Sequence, residues 1–222
     1  MNLMTLIDGP SALIVLGGTA LATVLRCGIG DCRITLRKLG RLGQPQFDAA
    51  GTRAEVALQV QEIRQDGFLR APLHHFDDDE FEQATEAMIA RRSVEALLES
   101  HARFRARRLA NGERAVRTLA QAAELAPVFG LAGTLVSLSQ LPVDGLARGA
   151  FAGAISMAVV TTLYGLLAAN LLLAPLARMI ERAAQAEERE RQEVIDWLAA
   201  QLADIKPASP DPLAPNPLAE AA

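Results

Sequence analysis

Thr134, Ser137, Ser139 and Gln140 in one uncharged run, and Ser156, Thr161, Thr162, Tyr164 and Asn170 in a second, are the side chains whose setting suits chemistry. The runs, 125–143 and 149–177, contain no Asp, Glu, Lys, Arg or His. A hydroxyl both donates and accepts, so a row of them can hand hydrogen bonds to water or to an ion. On a helix Thr134 and Ser137 share one face at i and i+3. Proton or cation relays inside a membrane normally also need a group that titrates. Neither run holds one, so the chain by itself supplies half of an ion path. The titrating group must come from a partner's helix or from water held by Thr134, Thr161 and Thr162.

Other chemistry-bearing residues point to bland roles. His74 and His75 are adjacent, so their side chains diverge in most backbones, and with His101 they lie in a polar region that fits no metal spacing. Cys27 and Cys32 match no zinc pattern and read as two reduced thiols. Asp77, Asp78 and Asp79 precede a helical pattern, where carboxylates cap free N–H groups. Arg103, Arg105, Arg107 and Arg108 form a solvated helix face or meet lipid headgroups. No nucleophile triad, phosphate loop or ligand cluster assembles. The expectation is no enzyme, no cofactor, no metal and no nucleic-acid partner.

The elements that would position the hydroxyls follow from where charge is missing. Half of the 222 residues are hydrophobic but only 4% are aromatic, and almost every charge lies outside the apolar runs. At 1.5 Å per residue each of the two runs can cross a hydrocarbon core of roughly 30 Å. A third apolar stretch, from about Leu3 to Leu25, begins with the helix-start residues Asp8, Gly9, Pro10 and Ser11. The fold class is therefore all-α, a polytopic membrane protein with three transmembrane helices and a helical cytoplasmic domain. Residues 1–25 form the first span, 26–123 a cytoplasmic helical region and 124–177 a hairpin with a short periplasmic connector. Residues 178–206 form a cytoplasmic helix and 207–222 a disordered Pro-rich tail. Arg26, Arg33, Arg37, Lys38 and Arg41 follow the first span, and Arg178 and Arg182 follow the third. The positive-inside rule puts the N-terminus in the periplasm and the C-terminus in the cytoplasm. Within 26–123, residues 53–64 and 79–119 read as amphipathic helices.

Small residues and prolines shape these spans. Gly17 and Gly18, Gly130 and Gly133, and Gly165 leave room for close helix contact. Pro127 is expected to open the second span and Pro175 to end the third, as boundary or kink residues.

These motifs carry a family resemblance. Residues 126–134, Ala-Pro-Val-Phe-Gly-Leu-Ala-Gly-Thr, resemble the start of the third span in the MotA branch of the MotA/TolQ/ExbB proton channel family. Thr161-Thr162-Leu163-Tyr164-Gly165, with Ala169-Asn170-Leu171 and Pro175-Leu176-Ala177, is similar to the fourth span. Asp8 to Ser11 with 14–19 resembles the second. The chain thus starts at what would be the second MotA span, and its three-span plan is nearer to TolQ and ExbB.

The resemblance implies an inner-membrane subunit forming a homo-oligomeric ring, a pentamer in this family. The ring surrounds a MotB/TolR/ExbD-like single-span partner with a membrane Asp, and proton flow is coupled to torque or force. It also implies that Thr134 and Thr162 face the pore and that Pro127 and Pro175 shape the moving helices. The driven process would be flagellar rotation, or, as in TolQ and ExbB, outer-membrane transport or envelope integrity. A non-conducting membrane scaffold is the remaining reading.

Overall fold

The structure, a computed structural model, describes residues 9–43, 47–66, 78–140 and 148–202. The elements are α1 (Gly9–Ala12), a π-helical turn at Leu13–Gly17, α2 (Gly18–Arg41), α3 (Ala49–Asp66), α4 (Asp79–Arg91) and α5 (Val94–Ser139). After them come α6 (Arg148–Leu167), a second π-helical stretch at Ala168–Leu173, and α7 (Ala174–Leu202). Among the described residues no strand occurs. His74, His75, Asp77, the centre of the connector and the Pro-rich tail lie outside the described residues.

Three helical runs, Gly9–Arg41, Val94–Ser139 and Phe151–Leu202, are long and apolar enough to cross a membrane. Their extents differ from the apolar stretches because hydropathy marks where lipid ends, not where a helix ends. The polar residues beyond each stretch are rich in Ala, Leu, Arg, Glu and Gln, all good helix formers. Thus α5 begins 33 residues before Pro127, which lies inside the helix and does not open it. Pro175 likewise follows the π turn within one helical run and does not end that helix. A proline removes one N–H and crowds the carbonyl four residues back, and a turn widened to i→i+5 bonding accommodates that loss. Ala174 donates its N–H to Ala169 O, five residues away.

The 79–119 helix expected from periodicity is broken at Arg92. That residue is left-handed at φ 52 and donates its N–H to Ile89 O and Met88 O, closing α4. Ser93 then starts α5, its hydroxyl accepting from Glu95 N at 3.2 Å.

The chain divides into two compact units. The first is Met1–Gln44 with Arg108–Gln185, the second Pro45–Arg107 with Ala186–Ala222. In the first, Ser11, Val15, Thr19 and Thr23 recur every four residues and are buried, while Leu13, Leu16, Leu21 and Leu25 on the same run are over half exposed. Small and hydroxyl residues face inward and large apolar ones outward, the arrangement a lipid solvent favours. Thr19 and Thr23 satisfy their hydroxyls on Val15 O and Thr19 O at 2.6 and 2.7 Å.

The second unit has a water-soluble type of core, in which Val56, Val60, Phe81, Ala84, Met88, Leu97, Val194, Ile195, Leu198 and Leu202 are buried together. Asp78 caps α4, accepting from Glu80 N and Phe81 N at 3.0 and 3.1 Å. Its other oxygen takes Arg191 Nη2 at 2.6 Å. Arg191 is 5% exposed, lies over the Phe47 ring at 4.4 Å and bonds Glu187 at 3.0 Å. The charge is thus buried with acids around it, the condition under which such burial is tolerated.

Candidate functional site

α5 and α6 meet along a seam of small residues. On α5 the buried positions Ala126, Gly130, Gly133 and Ser137 recur at spacings of four, three and four, the stripe of one helix face. On α6 they are opposed by Thr161 and Gly165, with Ala168 and Ala169 following. A Cβ added at Gly165 would stand 2.6 Å from Ala126 O, and one at Gly133 would stand 2.8 Å from Thr161 Cβ. One at Gly130 would be 3.0 Å from Thr161 O. Backbone therefore rests against backbone, and dispersion between closely packed chains holds the pair where no hydrophobic force acts. Gly18 receives the Phe129 ring, which a Cβ there would overlap. Among the described residues Gly17 meets no other helix: the nearest atom is Leu13 Cδ1 of its own run, at 3.6 Å.

This register sorts the three threonines expected on one path. Thr161 is fully buried in the seam, its hydroxyl donating to Ala158 O at 2.9 Å. Thr162, one residue on and turned by about 100°, faces a groove of about 460 Å³ lined by Thr134, Leu138, Ile155, Ala158, Val159, Thr162, Leu163 and Leu166. Thr134 and Thr162 are brought together there, while Thr161 is a packing residue. Ser137, expected beside Thr134, turns into the seam and donates to Gly133 O at 2.8 Å.

The chemistry of the groove follows from where its hydroxyl protons go. Thr134 donates to Leu131 O at 2.6 Å and Thr162 to Ala158 O at 3.3 Å, so both donors are committed to their own helices. What each oxygen can still offer is lone pairs. The groove therefore accepts hydrogen bonds and carries no charge of its own. It suits a neutral donor, a protonated carboxyl or a water, and offers a bare carboxylate nothing to bind. Asn170, further along, donates to Leu166 O at 3.0 Å and belongs to neither seam nor groove.

The inward stripe of Ser11, Val15, Thr19 and Thr23 lies outside the candidate residues. Its four-residue spacing within an apolar stretch is the signal that identifies it. Among the described residues no group of His, Cys, Asp and Glu is placed to hold a metal ion. Cys27 and Cys32 are free thiols, and Cys27 Sγ donates to Gln121 Oε1 at 2.9 Å.

Residues 62–193, more than half of the chain, match the profile of the MotA/TolQ/ExbB proton channel family. A 60-residue stretch is 38% identical to Motility protein A of Borreliella burgdorferi, covering 27% of this chain and 23% of that protein. That match spans about a quarter of the relative's length. Among solved structures the fold is similar to C. jejuni MotAB, with a TM-score of 0.78 at 19% identity over 90% of this chain and 81% of that one. It is also similar to the flagellar MotAB stator complex from Bacillus subtilis, with a TM-score of 0.74 at 21% identity over 88% and 79%. At these identities the likeness is one of fold.

Proposed function

Because the chain belongs to the MotA/TolQ/ExbB proton channel family, we propose that it is the ion-path wall of a MotA-type stator in a bacterial inner membrane. Its single-span partner would be of the MotB kind and carry a membrane aspartate. The N-terminus lies in the periplasm and the C-terminus in the cytoplasm, an orientation that the arginines after the first and third spans support. Copies of the chain form a ring, a pentamer as in its family, around the partner's helices. Proton passage turns one against the other.

The observation that carries this reading is the groove uniting Thr134 and Thr162 with no ionisable side chain on its lining. Its oxygens accept and do not donate, so a partner aspartate docks there as the neutral acid. Burial against Leu138, Val159 and Leu163 opposes its ionisation. Protonation and docking are then linked, and release of the proton is linked to leaving the groove. The MotA likeness of the similar proteins favours flagellar motion as the output over the outer-membrane or envelope tasks of TolQ and ExbB.

The test is proton flux into vesicles holding the chain together with a single-span partner. Flux should require the partner's aspartate, and Thr162→Val and Thr134→Val should each lower it up to about tenfold, the loss of roughly 1.4 kcal/mol from one acceptor at the upper end of ordinary strength. Thr161→Val, in the seam, should leave flux per assembled complex unchanged. Equal flux in all three variants would remove the groove from the path. Flux that persists without the aspartate would remove the partner from it. Assembly without any flux, with or without the aspartate, would leave a scaffold.

A further inference from the structure

Gly28 stands at φ 84 and ψ 157 inside α2, a left-handed backbone that side chains rarely adopt, and it breaks the helix into an apolar part and residues 29–41. The second part is amphipathic in an unusual way. Thr35 is 4% exposed, and Ile34, Leu39 and Leu42 pack against Ala115, Leu119, Ala177 and Ile180 of the same unit. At 100° per residue the opposite face carries, in order around the helix, Leu36, Ile29, Arg33, Arg37 and Arg41. Ile29 is 67% and Leu36 69% exposed, and the three arginines are exposed beside them. Among the described residues no carboxylate pairs with any of the three arginines. The segment's one acid, Asp31, lies on the other side, its carbonyl accepting the Thr35 hydroxyl at 2.8 Å.

We propose that this outward face of residues 29–41 is a binding surface for anionic phospholipid headgroups in the leaflet where the first span ends. Position supports it first. The inner face of the segment rests on residues within ten positions of an end of the uncharged runs, about 15 Å of helix, so the arginines stand at headgroup level. Charge supports it second, since juxtamembrane arginines are drawn to the negative surface of an anionic leaflet. The two exposed apolar side chains support it third, because an interfacial helix places its apolar residues just below the phosphates that its cations hold. An acidic soluble protein would leave Ile29 and Leu36 unmatched.

The inference goes beyond ion conduction and is tested without it. The full-length chain, with Cys27→Ser, Cys32→Ser and Leu36→Cys, carries a nitroxide and is reconstituted into phosphatidylcholine vesicles with or without phosphatidylglycerol. Accessibility to oxygen, which concentrates in the acyl region, is compared with accessibility to a water-soluble nickel chelate. Phosphatidylglycerol should raise the oxygen-to-chelate ratio at least threefold. Arg33→Gln, Arg37→Gln and Arg41→Gln together should abolish the rise while ring size and helicity stay unchanged. A ratio indifferent to phosphatidylglycerol in the unaltered arginine background would overturn the proposal, whether or not the triple variant folds. So would spin–spin broadening that shows the face covered by a second copy in both lipids.

Discussion

At the scale of single residues, the seam makes a sharp distinction among glycines that composition treats alike. Gly165 admits nothing, since the atom its Cβ would meet at 2.6 Å is the backbone oxygen of Ala126, which cannot rotate away. Gly17 admits a methyl freely, with only Leu13 Cδ1 at 3.6 Å. Gly165→Ala should therefore part α5 from α6 and destabilise the first unit by about 1–3 kcal/mol, the usual cost of overpacking. Gly17→Ala should be neutral or slightly stabilising, because alanine restricts the unfolded chain and suits a helix. Thermal unfolding of the two variants in one detergent, followed by helical circular dichroism, measures both. Equal midpoints would mean that the seam yields at no cost. The same seam explains why Thr161 and Thr162, adjacent and chemically identical, differ in role: one points at Gly133 and the other at the groove.

At the scale of elements, the π turn at Ala168–Leu173 sits where α6 passes into α7, immediately before Pro175. If the proline sets the turn, Pro175→Ala restores an N–H that can reach Leu171 O in ordinary α geometry, and the turn should revert. Amide exchange across 168–175 should then slow about fivefold, the equivalent of one net hydrogen bond of about 1 kcal/mol. Unchanged exchange, read by mass spectrometry on the assembled protein, would place the cause of the turn elsewhere. The other π turn, Leu13–Gly17, runs into Gly17 and Gly18, where no side chains oppose the wider pitch. Helix ends were harder to read than helix existence for a definite reason. Apolar runs announced three spans, but Leu, Ala, Arg, Glu and Gln continue a helix through water as readily as through lipid. Pro127 therefore looked like a first-turn residue when it lies deep within α5. Arg92 could not be foreseen as a stop, since its left-handed φ of 52 is imposed by the chain around it and not by its own type.

At the scale of the whole molecule, the parts that sequence alone made legible are those governed by local rules. The spans follow from absent charge and the α4 start from Asp78 beside Asp79. Long-range pairing was hidden, and the Arg191–Asp78 contact is the main case, because 113 residues separate the two and each alone resembles a surface charge. Burial works to raise the Asp78 pKa, but the hydrogen bond and charge of Arg191 and the N–H groups of Phe81 and Glu80 outweigh it and hold the carboxyl below the usual range. The unfolded chain takes up this proton near pH ~3.9, the folded chain only at lower pH. Between those values the unfolded state binds more protons, so stability falls as the pH falls. Above that window the contribution is complete. Asp78→Asn keeps an acceptor for the α4 cap and removes the charge, so its effect measures what that charge gains from Arg191 and from the cap N–H groups. At pH 7 the variant should lose about 1–3 kcal/mol, since Arg191 keeps Glu187 as an acidic partner. The difference should shrink through the acid window and vanish once Asp78 of the parent is protonated. Trp197, the sole tryptophan, packs against the core of the second unit beneath Arg53 and reports the transition by fluorescence. A gap between parent and variant that stays constant from pH 7 to pH 2 would show that the charge of Asp78 contributes nothing to this unit and that the loss comes from exchanging carboxyl for amide.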